Sequence, residues 1–349
     1  MVPGNRLDQM AEYPPGSKLL RMLTGNWTAQ ALYVAAKLGV ADHLVDGPVD
    51  CDRLAQLTGS HPEALYRLLR ALAGLGLFVE DHERRFGLTP LGEELRDNVP
   101  FSMRHVAIML GEEHYAAWGR LIDAVRSGQT AFELLYDQPV FDYFGNHLEA
   151  AATFNRAMTQ LAHQTHVAVV DAYDFGPYRL VADLGGGHGA LLAAILRANP
   201  HLRGLLFDLP AVVAGADEFL AAPDVRSRAS VAGGDFFEEI PAGCDVYVMS
   251  TVIHDWHDEA AMAILGNVRR AMTPDARLLL VERVLKSPNE PDFGKLADLN
   301  MLVMTGGLER TADEWRTLLE GSGFRLRDII PTRTTSCVIE AELATASGA

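Results

Sequence analysis

Val181-Ala182-Asp183-Leu184-Gly185-Gly186-Gly187-His188-Gly189-Ala190 leads a strand-like apolar run into a helix through four glycines in five residues. Glycines there let the backbone turn sharply and let a ligand approach the main chain. Their number is costly for a turn with no other task. Around this loop, from Tyr178 onward, strands are predicted at Arg179–Leu184, Arg203–Phe207, Ala229–Ala232, Asp245–Ser250 and Ala276–Val281, with helices at 190–198, 211–221 and 258–272. Such alternation signals an α/β domain with a mainly parallel sheet. After a helix at Ala312–Gly321, strands at Phe324–Ile330 and Thr334–Ala341 are joined only by Pro331-Thr332-Arg333. A parallel crossover needs about a dozen residues, so the sheet closes with a reversed strand.

Gly185-x-Gly187-x-x-Ala190 also satisfies the dinucleotide fingerprint, and Asp208 ends the next strand, where an acid binds ribose hydroxyls. Three features weigh against nicotinamide. Asp183 puts a carboxylate before the glycines, which suits an ammonium group better than a pyrophosphate. The loop lies in mid-chain, and the sheet ends in an antiparallel pair.

The chain has 349 residues, 48% of them hydrophobic, and a formal charge of −16. This is globular composition with room for two domains, and the charge disfavours nucleic acid and anionic membranes. No run approaches the ~20 apolar residues of a membrane span, and Met1-Val2-Pro3-Gly4-Asn5-Arg6 leads into no signal-peptide core, so a cytoplasmic location is expected. Cys51, Cys244 and Cys337 show no metal-type spacing and read as buried thiols.

Ahead of the α/β part, apolar positions from Leu20 to Leu38 predict one amphipathic helix over Lys18–Val40. Helices around Asp52–Thr58 and Pro62–Leu72 and a hairpin over Gly76–Glu80 and Arg85–Thr89 follow, a winged-helix pattern. Residues 1–104 carry 11 Lys/Arg and 13 Asp/Glu, a thin footprint for DNA. Packing or dimerisation is the better reading, with a cofactor-responsive regulator as the binding-class alternative.

The run Asp245–Ile253 ends in His254-Asp255-Trp256-His257-Asp258, at the carboxyl end of a strand, where ligands of open α/β sheets gather. His254 is therefore the candidate general base. His254-x-x-His257 lacks the cysteines or helical His-Glu pair of a metal site, and no metal is expected. A carboxylate on Nδ1–H would fix the tautomer that leaves Nε2 free; Glu282, at the end of the strand 278–281, and Glu309 are the candidates, each also readable as a surface acid at a helix start, Glu309 more so than Glu282.

These segments together resemble the S-adenosylmethionine-dependent O-methyltransferases of small molecules, the plant caffeate-type and bacterial secondary-metabolite family, over nearly the whole chain. Asp183 to Gly189 resembles that family's cofactor loop, Phe207-Asp208-Leu209-Pro210 its ribose segment, Gly233-Gly234-Asp235-Phe236-Phe237 its adenine turn, and Phe154-Asn155-Arg156-Ala157-Met158 its cofactor-covering helix. The resemblance implies a class I, Rossmann-like seven-stranded sheet with a reversed last strand, preceded by an α-helical winged-helix dimerisation domain. It places that domain at 1–104 and the methyltransferase domain at 105–349, with a helical substrate-pocket segment at 105–177 and the core at 178–349. It also implies a homodimer, and His254, Glu282 and Glu309 as the catalytic set. The cofactor would touch Asp183, Gly185, Gly186, Gly187, Asp208, Leu209, Gly234, Asp235, Phe236, Ser250, Trp256 and Met158. Ser250 departs from the pattern, since many relatives carry lysine there. Members that do not transfer methyl, or that alkylate nitrogen, are alternatives within the resemblance.

A histidine near pKa 6.5 facing a phenol near 10 works about 4.8 kcal/mol uphill, far less than for an aliphatic alcohol. An aromatic hydroxyl is therefore the expected nucleophile. Trp118, Phe141, Phe144, Asp255, Asn300, Met301 and Met304 are the expected substrate contacts, flat or pliable groups apart from Asp255 and Asn300. Met22 to Trp27 and Gly111 to Trp118 are similar to bacterial phenazine O-methyltransferases, which makes a hydroxyphenazine the leading substrate.

Overall fold

In the computed structural model, residues 14–100 and 102–344 are described. They form two compact units: residues up to Tyr115 together with Ala152–Gln160, and Ala116–Ala151 together with residues from Leu161 onward.

The first unit opens with helices at Pro15–Leu23 and Gly25–Lys37, where one helix was expected. The break has a local cause. Thr24 turns its hydroxyl back onto the carbonyls of Leu20 and Arg21, at 2.9 and 3.3 Å, and Thr-Gly-Asn is a poor helix-forming run. Helices Cys51–Thr58 and Pro62–Gly74 follow. The Asp50 side chain caps the first by accepting from the amides of Asp52 and Arg53, and Gly59 in the left-handed region ends it. Strands β1 (Val49–Asp50), β2 (Phe78–Glu80) and β3 (Arg85–Leu88) pair in the order β1-β3-β2. Leu54, Leu65, Leu69, Leu72, Phe78 and Phe86 are buried between helices and hairpin. Helix, turn, helix and wing follow the sequence pattern; β1, two residues long, does not announce itself there.

The second unit is built on β4 (Leu180–Leu184), β5 (Arg203–Asp208), β6 (Ala229–Gly233), β7 (Val246–Ser250), β8 (Arg277–Leu285), β9 (Arg310–Thr311), β10 (Phe324–Pro331) and β11 (Ser336–Leu343). The order is β10-β11-β8-β7-β4-β5-β6, with β9 paired to the end of β8. Strands β4 to β8 run parallel, whereas β11 runs antiparallel to both β8 and β10. This is the α/β sheet with a reversed last strand expected from the short Pro331–Arg333 connection. The central strands are buried on both faces, Val181, Ala182, Val246, Val248, Leu278 and Leu280 being inaccessible, as a sheet covered by helices requires.

One boundary moves. Strand β8 continues four residues past Val281, because Glu282 and Arg283 pair with Cys337 and Ser336, and Val284 and Leu285 with Arg310 and Thr311. Glu282 thus lies inside a paired strand rather than beyond its end, which fixes its backbone.

Candidate active site

The strand order reverses between β4 and β7, and the site assembles at their carboxyl ends. After β4 the loop turns through Gly185, Gly187 and Gly189, with φ of 66°, 58° and 83°, angles that L side chains rarely adopt. A Cβ on Gly187 would meet nothing within 4 Å, so the outer face of the loop is open to a ligand. Asp208 pins the loop: its carboxylate accepts from the amides of Gly187 at 2.8 Å and Leu209 at 2.7 Å. Each oxygen keeps a lone pair for a ribose hydroxyl. Leu209 beside it is half exposed.

Asp183 lies in the buried part of β4, just before the loop. It pairs in register with Leu206 and Val248, and its carboxylate is fully buried beneath the backbone of Gly186, whose Cβ would approach Asp183 Cγ to 2.5 Å. Burial pushes its pKa up to about 7, against the opposing amide of Leu192. The side chain thus supports the loop from below.

Gly234, Asp235 and Phe207 line a cleft of about 370 Å³ at the ends of β5 and β6. Asp235 holds the turn by accepting from the Phe237 amide at 2.8 Å, and Phe236 is anchored through its carbonyl to Asn267. Trp256 meets Phe236 and Phe237 edge-on, with ring centroids at 6.2 and 4.8 Å. Phe141, expected at the substrate, stacks on Trp256 with ring centroids at 6.4 Å, because helix Val140–Asn146 brings it to this aromatic group. Ser250 closes β7, half-buried. Open glycine loop, paired carboxylate and aromatic group together fit an adenosyl cofactor.

His254 sits in the short helical turn Ile253–Asp255 that follows β7 and is buried. The turn is strained at Thr251, a β-branched residue at φ 52°. Glu282 holds it in place: its Oε1 accepts from the amides of Val252, Ile253 and His254 at 3.1, 2.9 and 3.4 Å, a carboxylate in a backbone nest. Its Oε2 lies 3.4 Å from His254 Nδ1, and Glu309 Oε1 lies 3.3 Å from the same nitrogen. Glu309 is buried, not the surface group its place before a helix suggests, because the Gly306-Gly307 turn packs on the His254 turn. A Cβ on Gly307 would come to 1.9 Å from the His254 carbonyl oxygen, and the Leu308 amide donates to that oxygen at 2.9 Å.

Nε2 of His254 has Asp255 Oδ1 at 3.7 Å. Burial pulls the imidazole pKa down, but Glu282, Asp255 and Glu309 outweigh it and lift it to about 9. Burial likewise pushes Glu282 up to about 7, against the pull of His254. The donor atoms of His254, Glu282 and Glu309 lie within 4.8 Å of one another. Three amides fill one Glu282 oxygen, and Arg283 pairs with Glu309 at 2.7 Å.

Of the expected substrate contacts, Trp118 donates its indole N–H to Asn300 Oδ1 at 2.9 Å. Phe144, Met301 and Met304 are buried. Met158 lies in the first unit, packed with Phe154 against Val106 and Met109. Sequence reasoning missed Arg283 and the inaccessible Arg310, which donates to the Trp256 carbonyl at 2.9 Å and pairs with Asp258 at 2.7 Å. Neither has a motif of its own; adjacency to Glu282 and Glu309 was the available signal.

A family model of the O-methyltransferase domain matches residues 118–325, and one of the O-methyltransferase dimerisation domain matches residues 20–97. The chain is 48% identical to the phenazine O-methyltransferase PhzM of Lysobacter antibioticus, over 94% of this chain and 96% of that protein. It is 40% identical to the 8-amino-8-demethylriboflavin N,N-dimethyltransferase of Streptomyces davaonensis, over 89% and 91%. Among solved structures, LaPhzM superposes with a TM-score of 0.92 at 47% identity, covering 95% of this chain and all of that one. The neocarzinostatin O-methyltransferase NcsB1, solved with S-adenosylmethionine and a hydroxynaphthoic acid, gives 0.79 at 32%, covering 90% and 96%. The fold, the glycine loop and these matches lead to one conclusion: the chain belongs to the O-methyltransferase family, whose methyl donor is S-adenosylmethionine.

Proposed function

We propose that this protein methylates an aromatic hydroxyl of a planar secondary metabolite, a hydroxyphenazine first among the candidates, and works as a homodimer. The observation that carries the chemistry is His254 held between Glu282 and Glu309 beside the glycine loop, whose Gly185 abuts Val252. The phenazine assignment draws on the similarity to PhzM; the homodimer draws on the dimerisation-domain match.

When bound, S-adenosylmethionine supplies an electrophilic methyl on a positively charged sulfur. Gly185 to Gly189, Asp208 and the aromatic group around Trp256 would hold it. The remaining task is to orient a hydroxyl and take its proton. Glu282 and Glu309 keep the proton of neutral His254 on Nδ1, which leaves Nε2 to accept one from the substrate. Both carboxylates then stabilise the imidazolium. The three carboxylates raise the imidazole toward the range of a phenol, so proton transfer is less uphill than it is for a free histidine. Asp255, at Nε2, is placed to accept from a second donor on the substrate or to stabilise the charged ring.

Mass spectrometry of reactions with hydroxyphenazines and S-adenosylmethionine tests the reading. A methyl ether is expected, with turnover falling about 10²- to 10⁴-fold in His254→Ala; undiminished turnover in that variant removes the base. The similarity to an N,N-dimethyltransferase favours a second reading, methylation of an aromatic amine. The product's methyl shift in NMR separates the two.

A further inference from the structure

Glu309 serves two partners with one oxygen. Its Oε1 lies 3.3 Å from His254 Nδ1 and accepts a hydrogen bond from Arg283 Nη1 at 2.7 Å. Arg283 follows Glu282 on β8. Its backbone is fixed by pairing with Ser336 and by the Trp315 indole N–H, which donates to its carbonyl at 3.1 Å. Arg283 Nε is buried with no hydrogen-bond partner among the described residues, and the contact that the guanidinium makes with the site runs through Nη1 to Glu309. An always-charged group there keeps Glu309 ionised; burial raises the Glu309 carboxyl, but His254 and Arg283 hold it below the usual range. It also sets a positive charge one carboxylate away from the ring, which disfavours the imidazolium.

We propose that Arg283 is a positioning residue of the methyl transfer: it grips the oxygen that Glu309 shares with His254, fixing the ring's orientation, and its charge helps the ring shed a proton. This rests on His254 being the base. The groups that face the imidazole are Glu282 from β8, Glu309 from the segment before β9, and Asp255 from its own turn. Behind them, Asp298 on helix Gly294–Met304 accepts the Glu309 amide. Arg310 donates to the Ile253 and Trp256 carbonyls and pairs with Asp258. Of the two arginines, it is Arg283 that touches a carboxylate in contact with the ring.

The test is a ¹³C NMR titration of histidine-labelled enzyme, the His254 signal being identified by its loss in His254→Asn. Arg283→Met should raise the His254 midpoint by about one pH unit, and Arg283→Lys, which keeps the charge, by clearly less. In pH–rate profiles Arg283→Met should be about tenfold slower on the acid limb, with the deficit shrinking as pH rises. An unmoved or lowered midpoint, or a deficit equal at every pH, overturns the proposal and makes Arg283 only a prop. If Arg283→Met fails to fold by circular dichroism, Arg283→Gln carries the same comparison. The midpoint is read without substrate, so absence of methyl transfer would count against the functional reading while the titration still decides the role of Arg283.

Discussion

At the scale of single residues, the site concentrates acid around one imidazole. Because the His254 pKa is lifted to about 9, the neutral base is the minor form at pH 7, and its fraction grows about tenfold per pH unit until that value is reached. The rate constant kcat/KM should therefore climb with unit slope from pH 7 toward 9, and a plateau already reached at pH 7 would contradict this environment. Glu282 has two duties that substitutions can separate. In Glu282→Gln the amide oxygen still accepts from Val252, Ile253 and His254 while the charge is gone, so the acid limb should move to lower pH with slower turnover. In Glu282→Ala three amides lose their acceptor, at about 1–3 kcal/mol for each that stays buried. Its melting temperature should fall well below that of Glu282→Gln in calorimetry; equal melting would mean that the nest does not hold the turn.

At the scale of elements, two glycines separate a folding constraint from a binding constraint. Gly307→Ala forces a methyl group into the His254 carbonyl oxygen, so the Glu309 segment must retreat from the imidazole. A displacement of about 1 Å can cost on the order of 10²-fold in rate, and both activity and melting temperature should drop. Gly187→Ala meets open space at φ 58°, and costs about 1–2 kcal/mol for the left-handed conformation. Its melting temperature should fall modestly while calorimetric titration shows weaker binding of S-adenosylhomocysteine, since the added methyl lies where a ligand would approach. Unchanged affinity would remove the loop from the cofactor site. The same scale explains Glu309: in residue order it reads as an exposed acid ahead of a helix, and only the packing of the Gly306-Gly307 turn on His254 buries it.

At the scale of the whole molecule, helices Pro15–Leu23 and Gly25–Lys37 leave Leu20, Leu23 and Trp27 60%, 68% and 70% exposed, an apolar run that a lone chain gains nothing by showing to water. The wild-type protein is expected to sediment as a dimer in analytical ultracentrifugation, and a Leu20→Glu/Trp27→Glu variant as a monomer; a monomeric wild type would refute this interface. Much of the architecture was legible in residue order alone. Strand and helix periodicity, the four-glycine turn and the three-residue Pro331–Arg333 connection are local signals, and local backbone sterics suffice to read them. His254 and its two glutamates could be named through the resemblance, yet their arrangement could not. That Glu282 sits within a paired strand and cradles a strained turn, that Asp183 is buried under the loop it precedes, that Phe141 stacks on Trp256, and that Arg283 shares an oxygen with the imidazole were decided by tertiary structure. Each depends on groups far apart in the chain meeting where water is excluded, and no spacing along a sequence encodes the desolvation and charge that such a meeting creates.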